Sequence, residues 1–152
     1  MSAPETHPLL RVCALLNGQA ARYLVIGGRA CILHGLIRTT EDVDILVEGS
    51  EENCRRVILA LSQLADGAAA ELSPRELIEN VVVKGADEVE VDVSTHAWKV
   101  TYAEAIATAC ETVLDGVRIP YLGLDSLIAS KQTYRERDRL DVLRLEELKR
   151  RK

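Results

Sequence analysis

One stretch of the sequence, residues 23–47, restricts the possible folds most strongly. A short apolar run ends there in Gly27 and Gly28, and an Asp-Val-Asp run from Asp42 to Asp44 begins 14 residues after Gly28. Because successive strand residues face opposite sides of a sheet, the two aspartates share one face and their apolar neighbours pack on the other. The pattern predicts paired carboxylates suited to a metal ion, preceded by a glycine turn that lets backbone N–H groups approach a phosphate.

Length and composition indicate an ordinary globular protein. The chain has 152 residues, which suits a single domain with a modest core. No segment approaches the ~20 consecutive apolar residues of a membrane span, and residues 1–8 lack the basic and then apolar order of a signal peptide. We therefore expect one cytoplasmic domain over residues 1–152 and no membrane partner.

The cysteines are spaced too widely for a zinc site, and they lie in mainly apolar or helical surroundings. Such cysteines are usually free thiols in a core. We expect buried free thiols at Cys13, Cys31, Cys54 and Cys110.

Charge is unevenly distributed along the chain. The whole sequence carries −5, whereas the residues from Lys131 onward include nine Lys and Arg against five Asp and Glu, or +4, which leaves −9 on the rest. A basic helical segment at 125–152 on an acidic body attracts RNA or nucleotide phosphates. The alternative is a solvated helix with surface ion pairs that ends in a basic tail.

Apolar periodicity predicts alternating strands and helices without an internal repeat. Strands are expected at residues 23–26, 43–47, 81–84, 89–93, 112–114 and 117–119. Helices are expected at residues 8–20, 28–36, 51–64 and 101–109, from Pro74 onward, and in two segments after residue 125 that break near 135–138. Short turns containing glycine and aspartate link the third strand to the fourth and the fifth to the sixth, so each pair is predicted to form an antiparallel hairpin.

These motifs, in this order, resemble the nucleotidyltransferase superfamily that includes DNA polymerase beta. Its pattern is an apolar residue, Gly-Gly or Gly-Ser, a helix, and then Asp-apolar-Asp. The sequence more closely resembles small bacterial nucleotidyltransferases related to abortive-infection AbiEii proteins, a group that includes toxins of type IV toxin–antitoxin systems. The motifs that carry this closer likeness are Ile26-Gly27-Gly28-Arg29-Ala30, His34-Gly35, Arg38-Thr39-Thr40-Glu41-Asp42-Val43-Asp44, Leu127-Ile128-Ala129-Ser130-Lys131 and Arg137-Asp138-Arg139-Leu140-Asp141.

The resemblance implies an α/β (α+β) nucleotidyltransferase fold, with a small, mixed and mainly antiparallel sheet flanked by helices. It also implies a Mg²⁺-dependent enzyme that moves a nucleoside monophosphate from a nucleoside triphosphate to an acceptor hydroxyl and releases pyrophosphate. Two Mg²⁺ ions are expected, held by Asp42, Asp44 and a third carboxylate from a later strand. Asp92 is the expected third ligand and proton acceptor, and Glu90, which has the same facing, is the alternative.

The nucleotide itself is expected to contact a wider set of residues, namely Gly27, Gly28, Arg29, Arg38, Thr39, Thr40, Lys131 and Asp138. Arg38 is the best placed arginine, because a guanidinium can hold phosphate bidentately. By the resemblance, Lys131 reaches the triphosphate; the alternative is a solvated lysine beside neighbouring acids. Asp138 and Asp141 either orient Lys131 or bind nucleotide, or they begin the last helix. His34 lies among apolar residues and is expected to be structural.

Two classes of function stay open at this point. One is the enzyme described above, whose acceptor is RNA, a protein or a small molecule. The other is a catalytically silent nucleotide-binding or partner-binding protein of the same fold, such as one half of a toxin–antitoxin pair. The short chain favours a homo-oligomer or a partner protein that completes the cleft. With one Trp, four Tyr and no Phe, an extended base-stacking platform is not expected.

Overall fold

The computed structural model describes residues 8–40, 42–64, 73–75, 81–84, 90–133 and 135–151. The strands are β1 (Tyr23–Ile26), β2 (Val43–Val47), β3 (Val81–Lys84), β4 (Glu90–Ser94), β5 (His96–Ala97), β6 (Val100–Thr101), β7 (Cys110–Leu114) and β8 (Val117–Tyr121). The helices are α1 (Pro8–Gly18), α2 (Gly27–Leu33), α3 (Glu51–Leu61), α4 (Tyr102–Ala105), α5 (Leu124–Ser130) and α6 (Glu136–Arg151), and a 3₁₀ turn (Ile106–Thr108) follows α4.

The sheet is mixed, and antiparallel pairs predominate. Its strands follow the order β3-β4-β2-β1-β8-β7, and β5 pairs with β6 in a separate two-stranded ribbon. Strand β2 is parallel to β4, and β1 is parallel to β8, whereas β1 and β2, β3 and β4, and β7 and β8 are antiparallel. The expected fold class and both expected hairpins are confirmed.

Pairing of β2 with β4 decides where the acidic side chains meet. The parallel register sets Asp44 opposite Asp92. On the other face of the same strands, Val43, Ile45 and Val91 are fully buried. The alternation expected from the sequence therefore holds on both strands, and it brings two carboxylates together from positions 48 residues apart in the chain.

The helices cover the sheet and close its core. Helix α1 packs against α3 and β8, while α2 packs against β1 and β2 and touches α5, which in turn packs on α6. Buried Leu16, Leu24 and Leu46 belong to one continuous hydrophobic cluster. Among the described helices, none is long and apolar enough to cross a membrane.

A buried asparagine ties one helix to the ends of two strands. The Asn53 amide lies on α3 and is fully buried. Its Oδ1 accepts the Arg22 backbone N–H at 2.6 Å, and its Nδ2 donates to the carbonyl oxygens of Arg22 and Glu48, each at 2.9 Å. These bonds tie α3 to the backbone just before β1 and just after β2, where the Arg22 carbonyl oxygen also accepts the Glu48 backbone N–H at 3.2 Å.

Several element boundaries differ from the sequence expectation. Helix α2 ends at Leu33, not at residue 36, because Gly35 adopts a positive φ of 108° and turns the chain. Helix α3 ends at Leu61, where the Ser62 hydroxyl donates to the Leu59 carbonyl oxygen at 2.8 Å. The predicted helix at 101–109 divides into α4 and the 3₁₀ turn, and the β5–β6 ribbon was not anticipated.

Some expectations fall on residues that are not described. Pro74 and Arg75 have helical backbone, but the remainder of the helix predicted from Pro74 lies outside the described residues, as does the turn between β3 and β4. The cysteine expectation holds for Cys13, Cys31 and Cys54, which are buried free thiols, whereas Cys110 is a free thiol that is only partly buried.

Candidate active site

One cavity of about 390 Å³ collects most of the residues singled out in the sequence. Its floor is the acidic face of β2 and β4, and the turn between β1 and α2 borders it. The end of α5, the loop after it and the start of α6 complete the wall. Lining residues that the sequence predicted are Gly27, Gly28, Arg38, Thr40, Asp42, Asp44, Asp92, Lys131 and Asp138.

Three carboxylates gather on the floor of the cavity. Burial, followed by the charges of Asp92 and Asp42, raises the pKa of Asp44 to about 6. Burial also raises the pKa of Asp92, with Glu90 and Asp42 adding to the effect. Like charges at a partly buried site repel each other, so a cation placed among them would be held and would restore both groups to their charged form.

The donor set suits a hard divalent cation. Asp42, Asp44 and Asp92 offer only carboxylate oxygens, the ligand type that Mg²⁺ prefers. In the described part of the chain, no group of three or more His, Cys, Asp and Glu side chains is already arranged as a metal-holding set. Mg²⁺ commonly takes one or two protein carboxylates and completes its shell with phosphate oxygens and water.

Close contacts favour glycine at both positions of the motif. Gly27 has a positive φ of 67°, and a Cβ at this position would overlap the Asp44 carboxylate. A Cβ on Gly28 would lie 3.0 Å from the Thr40 side chain and 3.4 Å from Arg38 Cζ. The glycine turn can therefore rest directly against the carboxylate floor and against the loop that precedes β2.

A buried charge cluster forms another part of the wall, beside Gly28. Arg38 Nη1 lies 2.6 Å from Asp141 Oδ2, and Lys131 Nζ lies 2.9 Å from the same oxygen. Lys131 Nζ is also 3.6 Å from Asp138 Oδ1. Only 7% of Lys131 is exposed, which rules out the solvated lysine considered for this position. Buried cations need such partners because desolvation of an unpaired charge is very costly.

Asp138 combines the two roles that the sequence left open. It lies in the first turn of α6 and it contacts Lys131. Burial alone would raise its pKa, but the hydrogen bond from Thr133 and the charges of Lys131 and Arg135 outweigh burial and lower the pKa. Thr133 Oγ1 donates at 2.5 Å and Arg135 Nε at 3.0 Å to the same Asp138 oxygen. The ionised carboxylate is thus fixed beside the lysine.

Two predicted nucleotide contacts are not brought to the cavity lining. Arg29 is partly buried, and its Nε donates to the Asp42 carbonyl oxygen at 3.3 Å. Burial lowers the pKa of Arg29, while Asp42 and Asp44 act in the opposite direction. Thr39 is exposed, and only its neighbour Thr40 lines the cavity. Arg29 is thus placed to hold the loop that carries Asp42.

His34 is structural, as expected. Its Nε2 lies 2.7 Å from the Leu122 carbonyl oxygen. Its ring also meets Tyr121 edge to face, with 5.1 Å between the ring centroids. It does not belong to the cavity lining.

Sequence reasoning missed several lining residues. Arg135 and Arg137 lie at the start of α6, and Ser94, His96 and Trp98 extend the lining beyond Asp92. The two arginines belong to the basic C-terminal segment, and from the sequence they were considered only for its net charge. Ser94 shares the face of β4 with Asp92, whereas His96 and Trp98 reach the cavity through the β5–β6 ribbon.

Comparisons with known proteins identify the fold. No family model and no curated protein matches the sequence. A crystal structure from Thermotoga maritima, described as a "putative nucleotidyltransferase", matches with a TM-score of 0.55 at 16% identity, over 99% of this chain and 92% of that one. An antigenic nucleotidyltransferase-like protein from Paracoccidioides brasiliensis also matches, with a TM-score of 0.55 at 18% identity, over 97% of this chain and 78% of that one. The chain therefore has a nucleotidyltransferase fold.

The raised pKa of Asp44 gives a testable pH dependence. A folded-state pKa of about 6, above the ordinary 3.8, means that folding favours the protonated carboxyl. The stability that this proton brings is complete below about pH 4 and is lost as the pH rises through about 6. The loss by pH 8 is at most ~3 kcal/mol. Asp44→Asn removes the titration. In EDTA, we expect the unfolding free energy of the variant, minus that of wild type, to increase between pH 4 and pH 8.

The measurement is urea unfolding of both proteins at a series of pH values. If the difference in unfolding free energy stays constant from pH 4 to pH 8, the pKa of Asp44 is not raised by burial and by its acidic neighbours.

Proposed function

We propose that the protein is a Mg²⁺-dependent nucleotidyltransferase, which moves a nucleoside monophosphate from a nucleoside triphosphate to an acceptor hydroxyl and releases pyrophosphate. The observation that carries the proposal is the side-by-side placement of Asp44 and Asp92, with Gly27 against the first and with Arg38 and Lys131 lining the same cavity. The fold shared with nucleotidyltransferase-like structures supports it. Fold alone does not fix an activity, so the proposal rests on the site.

The three floor carboxylates are the residues that would hold Mg²⁺, and two ions are expected. When bound, Mg²⁺ supplies Lewis acidity, which makes the attacking hydroxyl more acidic and neutralises the triphosphate leaving group. Asp44 is the central ligand, because acidic groups on both sides raise its pKa and it therefore gains most from a cation. Asp42 is exposed and Asp92 partly buried, so each offers oxygens to the cavity from its own side.

The chain's own groups account for the remaining chemistry. The acceptor oxygen forms a bond to the α-phosphorus, and the bond from that phosphorus to the bridging oxygen breaks, so that pyrophosphate leaves with the electron pair. Asp92 accepts the proton of the acceptor hydroxyl. Asp92 can accept this proton only in its charged form, which a cation among the carboxylates favours.

The cationic wall is suited to the triphosphate. Arg38 and Lys131 share Asp141, and Asp138 is additionally paired with Arg135. Three cations thus face two carboxylates, which leaves positive charge for phosphate oxygens. The backbone at Gly27 and Gly28 borders the same cavity, where its N–H groups can approach phosphate oxygens.

The finer assignment follows the sequence likeness. We place the protein near the AbiEii-related nucleotidyltransferases, with a role in a toxin–antitoxin or abortive-infection system in the cytoplasm. The acceptor would then be RNA, a protein or a small molecule, and a second copy or a partner protein would complete the cleft. The likeness of the motifs around Asp42 and Lys131 supports this placement.

The transfer reaction tests the proposal and separates Asp92 from Glu90. Incubation with each α-labelled nucleoside triphosphate and Mg²⁺, alone and with total RNA or cell extract, is expected to move label onto an acceptor. Asp92→Asn is expected to lower transfer by ~10²–10⁴-fold, because the variant lacks the proton acceptor. Glu90→Gln is the matched control: Glu90 shares the strand face but lies one pleat repeat away, ~6.5–7 Å, and is not part of the cavity lining.

Thermal melting shows whether each variant is folded before its activity is compared. Loss of transfer in Glu90→Gln with full transfer in Asp92→Asn would move the base to Glu90. Absence of transferred label with every nucleotide and every acceptor source would contradict the proposed activity.

Lys131 gives a second test, based on binding alone. A buried ammonium that contacts the triphosphate contributes ~1.5–3 kcal/mol to binding, or roughly ten- to a hundredfold in affinity. Calorimetric titration with a triphosphate and the corresponding monophosphate should therefore show that Lys131→Met weakens triphosphate binding selectively. Lys149→Met, which removes an exposed lysine paired with Asp125, serves as the control and should leave both affinities unchanged. Unchanged triphosphate affinity in Lys131→Met would remove this residue from the nucleotide site.

A further inference from the structure

Trp98 stands at the tip of the β5–β6 ribbon and lines the same cavity as the carboxylates. Its side chain is the largest aromatic one among the described residues of the lining, and 47% of the residue is exposed. A half-exposed indole in a polar cavity leaves one ring face available to a ligand. The sequence contains no other tryptophan.

The backbone at Trp98 is unfavourable for a bulky residue. Ala97 pairs with Val100, so the loop of the ribbon consists of Trp98 and Lys99. Trp98 has a φ of +60°, whereas Lys99 is not among the residues with positive φ. Positive φ at only the first loop position is the pattern of a type II′ turn, where glycine is preferred. A strained aromatic residue beside a candidate active site indicates that its side chain has a use there.

The cavity lining combines cationic groups with an aromatic ring. Arg38 and Lys131 provide cationic groups, and Arg38 lies beside Gly28 of the glycine turn, where phosphates are expected. On the floor, Ser94 follows Asp92 on the same face of β4, one pleat repeat of ~6.5–7 Å farther along, and Trp98 belongs to the same lining. A ligand with a polyanionic end and a planar ring at the other end matches this arrangement. The volume of about 390 Å³ is that of a small-molecule site.

We propose that Trp98 stacks on the base of the donor nucleoside triphosphate, an inference that rests on the proposed function. Stacking uses the π-face that every base has, so it tolerates different bases. The protein should therefore accept several nucleoside triphosphates, and purines, with their larger rings, should bind most tightly.

Binding measurements with matched ligands test the subsite without requiring turnover. In the presence of Mg²⁺, ATP is expected to quench the fluorescence of Trp98, and inorganic tripolyphosphate is not. By calorimetry, Trp98→Gly should weaken ATP binding by about 5- to 150-fold and leave tripolyphosphate binding unchanged, because only the base contact is lost. Trp98→Tyr, which keeps an aromatic ring, should retain most of the ATP affinity. Ile106→Ala, which shortens an exposed apolar side chain outside the cavity lining, is the control and should behave as wild type.

Thermal melting separates this role from a structural one. Glycine is the preferred residue at this φ, so Trp98→Gly should melt at or above the wild-type temperature. A lower melting temperature together with equal losses for ATP and tripolyphosphate would overturn the proposal, because Trp98 would then support the cavity as a whole.

The remaining outcomes distinguish the subsite from the proposed function. Unchanged ATP affinity in Trp98→Gly overturns the subsite alone, provided that wild type binds tripolyphosphate and transfers label. If wild type binds neither ATP nor tripolyphosphate, both the subsite and the proposed function are wrong.

Discussion

The parallel pairing of β2 with β4 is the constraint on which the site depends. It places Asp44 beside Asp92 on a partly buried face, where burial and repulsion from neighbouring carboxylates raise the pKa of both. Such a floor destabilises the fold near neutral pH unless opposite charge lies close by. The charges of Lys131 and Arg38 offset part of this cost, because they lower the pKa of Asp44.

Asp141 connects the end of the chain to this floor. It lies on α6, yet it pairs with Lys131 after α5 and with Arg38, which is 103 positions away in the sequence. The three groups are almost fully enclosed, so their mutual attraction is weakly screened by solvent. The basic C-terminal segment is thereby divided: its first residues contribute to the cavity, and its last turn forms exposed ion pairs such as Arg150 with Glu147. The interpretation as a helix with surface ion pairs is confirmed for this last turn, and the attraction of phosphates stays a prediction.

Local sequence patterns predicted most of the helices and strands, but they could not predict which distant parts of the chain pair with each other. The alternation of apolar and acidic residues on β2 and β4 is visible in the sequence. The structure confirms it, because Val43 and Val91 are buried while Asp44 and Asp92 face the cavity. That these strands are parallel neighbours with Asp44 opposite Asp92 depends on the whole sheet and has no local signal. The same holds for the Arg38–Asp141 pair. Trp98 was judged only by composition, because a two-residue ribbon is too short to leave a periodic pattern and the residue occupies a position where glycine is expected.

Metal-dependent nucleotide binding by the paired aspartates is the central claim, and thermal melting tests it most directly. Wild type and the double variant Asp42→Asn/Asp44→Asn are melted with and without Mg²⁺ plus a nonhydrolysable nucleoside triphosphate. A ligand at 100 times its Kd stabilises the folded state by about 2.7 kcal/mol, which is a readily measured shift. The account predicts a clear rise in the melting temperature of wild type and little or none in the double variant. An equal rise in both proteins would contradict it.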